Sequence, residues 1–293
     1  MYYAQPVFRP LSEAQSLLIQ ATVGCSQPIC TFCPVSSVKV FQVRPQRDII
    51  ADMEEAASMM RDEVKTIFLL AADAFFMDAA DLIEICGTAS RLFPALKRIS
   101  AYATAKDILR KTEQELTSIR ASGLNRLYVG VDSGSEEVLR RVNKRITGRQ
   151  TVDACRKAAG CGFELSTTVI LGLGGRELTE EHADMTAALI SQIEPDFLGI
   201  VTLMTFPHTA LGQQAARGSF AELDTAGLLA ELKRMVGGLQ ITNRKCVLRT
   251  NHPSNYIVHL AGTLPDDKAR LAGLLASVQP DLLNARAEMQ RSL

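Results

Sequence analysis

The stretch Leu17-Leu18-Ile19-Gln20-Ala21-Thr22-Val23-Gly24-Cys25-Ser26-Gln27-Pro28-Ile29-Cys30-Thr31-Phe32-Cys33 joins a strand-like apolar run to three cysteines in a C-x4-C-x2-C spacing. Three thiolates on one short loop can hold three irons of a cubane cluster. The fourth iron then has no protein ligand nearby. An iron with an open position binds and activates a small molecule, whereas a fully ligated cluster passes electrons. A structural zinc site is the alternative reading, but it takes four ligands, and no second C-x2-C follows in the chain.

Outward from this loop, short apolar runs alternate with amphipathic helical stretches. Strands are expected at Ser16 to Thr22, Thr66 to Leu70, Arg98 to Ala103, Arg126 to Val131, Phe163 to Leu171 and Asp196 to Thr202. Helical periodicity fills the gaps at Arg47 to Asp62, Ala79 to Leu92, Lys106 to Ser122, Gly148 to Ala159, Glu180 to Ile193 and Ala221 to Val236. Such alternation predicts a parallel sheet with helices packed outside it, as a doubly wound sheet or a complete or partial (β/α) barrel. After about residue 237 the pattern changes. Lys245 to Arg249, the polar run Asn251-His252-Pro253-Ser254-Asn255-Tyr256 and a helix from about Asp266 to Ser277 read as a C-terminal extension closing one side of the core. No linker or low-complexity tract interrupts the chain, so one domain is expected over 1–293, with a core at about 14–237 and the extension at about 238–293.

The chain has 293 residues, enough for a large core. Lys plus Arg and Asp plus Glu both number 32, which gives no support for a nucleic-acid or anionic-membrane surface. No run of about 18 apolar residues predicts a membrane span. The opening Met1-Tyr2-Tyr3-Ala4-Gln5-Pro6 lacks a basic region followed by an apolar one, so no signal peptide is expected. Seven cysteines, an odd number in a chain this size, point to a reducing cytoplasm rather than a disulfide scaffold. Cys86, Cys155, Cys161 and Cys246 have no ligand spacing and read as buried thiols.

Polar and glycine residues gather just after the strands: Gly24-Cys25, then Ala71-Ala72-Asp73, then Tyr102 and Thr104, then Asp132-Ser133-Gly134-Ser135, then Gly172-Leu173-Gly174-Gly175, then Thr202 and Thr205. In parallel α/β folds the C-terminal strand ends form the site face. The glycine run lacks both the P-loop ending and the dinucleotide fingerprint. His182 lies on a helical face and is expected in solvent.

The cysteine loop resembles that of the radical S-adenosylmethionine (SAM) superfamily. Asp132 to Leu139 with Val142-Asn143-Lys144 resembles its fourth-strand segment, and Val169 to Gly175 its fifth-strand glycine segment. Phe206-Pro207-His208-Thr209-Ala210-Leu211 resembles the Pro-Gly-Thr-Pro turn of relatives of oxygen-independent coproporphyrinogen oxidase and of the methylthiotransferases. Two departures stand out. The first two cysteines are separated by four residues rather than the usual three, and Ala71-Ala72-Asp73 replaces Gly-Gly-Glu. The resemblance implies a partial (β/α)6 TIM-like barrel. It also implies a [4Fe–4S] cluster on Cys25, Cys30 and Cys33, with SAM on the fourth iron. Reductive cleavage of SAM would give a 5′-deoxyadenosyl radical that abstracts hydrogen from an unknown small-molecule substrate. A ferredoxin or flavodoxin would supply the electron.

Residue roles follow from the same resemblance. Phe32 packs on the adenine, and Asp73 receives the SAM amino group. Asp132 and Ser133 meet the ribose, and Gly172 and Gly174 allow close backbone approach. Lys144 or Arg145 faces the SAM carboxylate. Capping of the following helices is the competing reading for Asp132 and Asp73. Tyr102 and His252 are the candidate catalytic residues on the substrate side, against core packing and a surface turn respectively. Two other functions stay open: a non-catalytic cluster-binding carrier of the haem-chaperone kind, and an RNA-modifying enzyme, against which the neutral charge argues.

Overall fold

The computed structural model describes residues 1, 3–4, 7–37, 40–256 and 260–278. The end of the expected C-terminal extension lies outside the described residues. In chain order the elements are β1 (Leu17–Gln20), β2 (Thr22–Val23), β3 (Gln42–Val43), α1 (Gln46–Met60), β4 (Thr66–Leu70), α2 (Ala79–Leu92), β5 (Arg98–Ala103), α3 (Ala105–Arg110), α4 (Glu113–Ala121) and β6 (Leu124–Asp132). There follow α5 (Glu136–Arg141), α6 (Gly148–Gly160), β7 (Glu164–Leu171), α7 (Gly175–Ile193), β8 (Phe197–Thr202), α8 (Ala210–Ala216), α9 (Thr225–Gly238), β9 (Cys246–Arg249), β10 (Ala261–Leu264) and α10 (Lys268–Ser277). The expected strand–helix alternation is present, with β4, β5 and α2 at the expected bounds.

The chain forms two compact units. The first comprises Met1–Pro28, Val35–Val129 and Asp153–Leu165; the second comprises Ile29–Pro34, Gly130–Val152 and the chain from Ser166 on.

In the first unit β1, β4, β5 and β6 pair in that order, all parallel, from Leu17 opposite Ile67 through Thr66 opposite Arg98 to Ala103 opposite Val129. β4 and β5 are buried almost continuously, as strands covered on both faces must be. Helix α2 turns Leu82, Ile85, Cys86 and Ala89 inward at helical spacing. Phe68, fully buried on β4, meets Tyr102 and Tyr128 edge to face at 5.1 and 5.7 Å between ring centroids. The single helix expected from Lys106 to Ser122 is two helices, because Thr112 and Glu115 form a reciprocal capping box that starts α4.

In the second unit β7, β8 and β9 run parallel, from Ser166 opposite Phe197 and Phe197 opposite Val247, and β10 joins β9 antiparallel. β7 and β8 bury every second residue. The helix expected from Ala221 begins at Thr225, capped by Asp224, whose carboxylate accepts from the Gly227 N–H at 2.8 Å. A separate helix, α8, precedes it, capped by Thr209. Helix α9 buries Leu228, Leu229, Leu232, Met235 and Val236, and with them Glu231.

Candidate functional site

In the first unit the candidate residues Cys25, Asp73 and Thr104 follow the C-terminal ends of β2, β4 and β5, and Tyr102 lies near the end of β5. The Gln27 N–H points at Cys25 Sγ at 3.4 Å, and the Gln27 side chain donates to Thr104 Oγ1 at 3.4 Å. Thr104 caps α3, accepting from the Asp107 N–H at 3.2 Å, and donates to the Asp107 carboxylate. Asp73 is fully buried and caps no helix. Its Oδ2 accepts from the Ser26 N–H at 3.0 Å, while Oδ1 is buried with no hydrogen-bond partner. Burial pushes its carboxyl up to about 6. Arg110 steadies the turn after Asp73: its guanidinium lies 4.4 Å from the Phe76 ring centroid and donates to the Phe76 carbonyl. Tyr102, half-buried, packs edge to face on Phe68 within the aromatic cluster, the competing reading given for it.

In the second unit the segment Ile29–Pro34 is strapped by backbone. The Thr31 N–H donates to the Val142 carbonyl at 3.0 Å, Asn143 Nδ2 donates to the Ile29 carbonyl at 3.0 Å, and the Leu211 N–H donates to the Thr31 carbonyl at 2.9 Å. Phe32 packs against the cluster of Val138, Val142, Leu173, Leu203 and Leu211. Lys144 and Asp132 form an ion pair, and Lys144 also donates to the Gly130 carbonyl at 3.1 Å. Burial lowers the Lys144 ammonium, but Asp132, Cys30 and Cys33 outweigh it and hold it above the ordinary range. Two residues expected on opposite parts of a bound nucleoside are therefore each other's partner. Asp132 stands at φ 64°, a left-handed conformation rare for non-glycine residues. The cap of α5 is Ser135, which accepts from the Val138 N–H at 3.1 Å.

The expectation that His182 is solvated is corrected: it is fully buried. The face of α7 that carries it packs inward, where its ring satisfies two strand ends at once. Nδ1 lies 2.8 Å from Ser133 Oγ and Nε2 lies 3.0 Å from the Ile170 carbonyl. Burial lowers its pKa to about 4, so the ring is neutral, with Nε2–H donating to Ile170. Ser133 is thus bonded to His182 and to the Ser135 N–H. Near the same ends, the Gly172 N–H donates to Glu231 Oε1 at 2.6 Å, and Thr179 Oγ1 donates to Glu231 Oε2 at 2.6 Å. Burial raises Glu231 to about 7. His252, half-buried, bonds through Nδ1 to Ser254 Oγ at 2.8 Å, and Ser254 accepts from the Thr202 N–H at 3.1 Å. Asn255 accepts from Thr202 Oγ1 at 2.7 Å. The polar run therefore ties itself to the end of β8 and is more than a surface turn.

Sequence reasoning missed Glu231. The signal was present: a carboxylate inside the apolar stripe of α9, which only a partner can stabilise there. Cys86, Cys155 and Cys246 are buried and pushed up to about 12, as expected of inert thiols, while Cys161 is half-buried. Among the described residues no three His, Cys, Asp or Glu side chains stand as a group able to hold a metal ion. No helix among them is long and apolar enough to cross a membrane.

Comparisons with known proteins agree on one family. The chain is 19% identical over 196 residues to the "Heme chaperone HemW" of Bacillus subtilis (strain 168), covering 65% of this chain and 51% of that protein. It is 27% identical over 184 residues to the "tRNA-2-methylthio-N(6)-dimethylallyladenosine synthase" of Anoxybacillus flavithermus, covering 59% of this chain and 33% of that one. The chain thus spans about half or less of the length of these two relatives. Among solved structures, coproporphyrinogen III oxidase (HemN) from Escherichia coli superposes with a TM-score of 0.55 at 20% identity, over 75% of this chain and 51% of that one. Methylornithine synthase (PylB) superposes with a TM-score of 0.54 at 16% identity, over 76% and 63%. These likenesses show the fold alone, of the partial TIM-like barrel kind that the family resemblance implied. The Radical SAM superfamily model matches residues 19–190, more than half of the chain, and the protein belongs to that superfamily.

Proposed function

We propose that Cys25, Cys30 and Cys33 hold a [4Fe–4S] cluster and that the chain cleaves SAM reductively to start radical chemistry on a small-molecule substrate. The observation that carries this reading is the cysteine loop, three thiols at C-x4-C-x2-C spacing directly after β2 in a chain of this superfamily. The donor set suits the group: soft thiolates select iron–sulfur clusters, and the Gln27 N–H aimed at Cys25 Sγ is the kind of hydrogen bond that tunes them. The three thiols do not stand as a ready-made group among the described residues, so cluster binding would draw them together, as metal binding is coupled to the ordering of its ligand loop. The orphaned Oδ1 of Asp73 supports a cationic or N–H-bearing ligand beside the loop.

When bound, the cluster supplies a low-potential electron to the SAM sulfonium. The protein's own part is to orient and to exclude water. Asp73 receives the SAM amino group on the carboxylate oxygen that has no protein donor. The Gly172–Gly174 turn offers backbone at close range, and Phe32 forms part of an apolar wall with Leu173 and Leu203. Asp132 and Lys144 act as a pair, accepting from hydroxyls and donating to a carboxylate respectively. Ser133 holds His182, and through it the shape of the strand ends. His252 and Tyr102 stand as the candidate substrate-side groups. A ferredoxin or flavodoxin in a reducing cytoplasm is the fitting electron source.

The likeness to a haem chaperone favours one second reading, a carrier that binds the cluster without turnover. Anaerobic reconstitution with iron and sulfide separates the two. The enzyme reading expects a brown chromophore, an electron paramagnetic resonance signal that changes on adding SAM, and 5′-deoxyadenosine. All three should be lost or reduced to background in Cys33→Ala. A cluster with 5′-deoxyadenosine no higher than in Cys33→Ala would establish the carrier, and no cluster at all would sink both.

A further inference from the structure

Glu231 is 2% exposed, yet it sits on the apolar face of α9. Its two carboxyl oxygens reach different places. Oε1 takes the Gly172 N–H and Oε2 takes the Thr179 hydroxyl, both at 2.6 Å. Gly172 stands at φ 80°, and a Cβ there would come within 3.1 Å of Leu228 on α9, so this turn needs glycine. Between the two anchors α7 begins irregularly: Leu178 has φ −115° and ψ 15°, outside helical values. The carboxyl of Glu231 therefore brackets the turn, holding Gly172 in front and Thr179 behind. The bracketed residues Leu173 to Leu178, with Val138, Arg141, Leu211 and Phe220, line a cleft of about 300 Å³ in this unit.

A buried carboxyl is costly to keep unless its hydrogen bonds are essential to the local shape. The fold contains cheaper ways to fill a position flanked by Leu228 and Leu232. We propose that Glu231 is a positioning residue that sets the affinity of the strand-end site for SAM by fixing the Gly172–Leu178 turn, a step that rests on the functional reading above. It touches no reacting atom. Its effect passes through Gly172 and Gly174, which carry the close backbone approach.

The test compares Glu231→Leu, Glu231→Gln and Thr179→Val in the full chain. Hydrogen exchange of the segment 171–179 is read on the protein as purified, and SAM affinity by equilibrium dialysis on the anaerobically reconstituted protein. Leu removes both hydrogen bonds at nearly constant volume, so exchange at 171–179 should quicken while α2 stays protected, and the dissociation constant for SAM should rise about tenfold. Gln can still accept from Gly172 and should stay within about threefold of wild type. Thr179→Val, which breaks only the rear anchor, should fall between them and serves if Glu231→Leu does not fold. Unchanged affinity in Glu231→Leu, weakened affinity with unchanged exchange at 171–179, or Gln as damaging as Leu would each overturn the assignment. Reconstituted wild-type protein that binds no SAM would remove the functional reading and this one with it, whereas SAM binding that ignores position 231 removes only this one.

Discussion

Asp132 and Lys144 show how much of the candidate site depends on backbone conformation at single residues. Asp132 (φ 64°), Asn143 (φ 57°) and Arg145 (φ 41°) all occupy the left-handed region, and the chain turns sharply at each. Those turns bring a carboxylate 8% exposed onto an ammonium 21% exposed. An ion pair this sheltered is held less by its own attraction than by the cost of stranding either partner. Lys144→Met should therefore destabilise the fold by about 2–3 kcal/mol, because Asp132 is left charged and half-satisfied. Lys144→Met with Asp132→Asn should recover at least half of that loss, since asparagine tolerates the left-handed conformation and carries no charge. Urea unfolding of the four proteins in the cycle checks it; equal losses in the single and double variants would show that packing of the lysine stem is responsible. The sequence pointed to both residues but not to their partnership. Residue type and proximity to a strand end were readable, whereas the positive φ angles that aim the two side chains at each other are signalled only weakly by aspartate and asparagine, which enter that region more often than other residues, and not by arginine. Glu231 and His182 were hidden for a related reason. Helical periodicity shows which face is buried, and a polar residue on it is informative only once its partner is known.

At the scale of elements, legibility followed the kind of signal. The runs at Thr66–Leu70 and Arg98–Ala103 match β4 and β5 residue for residue, because a short, mainly apolar run bounded by polar and turn residues marks a doubly covered strand. The break between α3 and α4 escaped for a physical reason. Ile108, Leu116 and Ile119 are all buried and keep to one helical face across it, so periodicity runs straight through. The capping signature Thr112-Glu113-Gln114-Glu115 was the contrary evidence. The Thr112 N–H donates to Glu115 Oε2 at 2.7 Å, and the Glu115 N–H donates to Thr112 Oγ1 at 3.2 Å. Thr112→Ala should cost about 1 kcal/mol, and Thr112→Ser almost nothing. Circular dichroism with urea titration measures both. A Thr112→Ala protein as stable as wild type would assign the start of α4 to the buried Lys111 instead, whose ammonium donates to the Phe75 carbonyl at 2.7 Å. The strand β10 was also missed: Ala261-Gly262-Thr263-Leu264 is short and holds a glycine, and its antiparallel pairing with β9 comes from tertiary context rather than propensity.

For the molecule as a whole, the buried groups of the second unit set opposed pH dependences. Glu231 rises from 4.5 to about 7 on folding, so the folded state binds its proton more tightly than the unfolded chain does. Its stabilising contribution is complete below pH 4.5 and is lost as pH climbs through about 7. His182 falls from 6.5 to about 4, so the unfolded chain binds the proton more tightly. Its contribution is complete above pH 6.5 and is lost as pH falls towards about 4. Between pH 4.5 and 6.5 the two slopes oppose each other, and each amounts to roughly 3 kcal/mol over its full range. At 3.8 Å the two side chains are close, but in this window the folded protein keeps both uncharged, so their approach is not an ion pair. Asp132, the charged group that also faces His182, acts to raise the histidine and only moderates the effect of burial. Removing one member should expose the other. Relative to wild type, Glu231→Gln should gain stability steadily from pH 4.5 to 7, because the cost of ionising a buried carboxyl is gone. His182→Gln should gain in the opposite direction, from pH 6.5 down to 4. Urea midpoints at half-unit pH steps give both curves. A difference curve for Glu231→Gln that stays flat across this window would mean that the carboxyl ionises as readily inside α9 as in the unfolded chain, and so that the stripe of Leu228, Leu229 and Leu232 does not keep water from it.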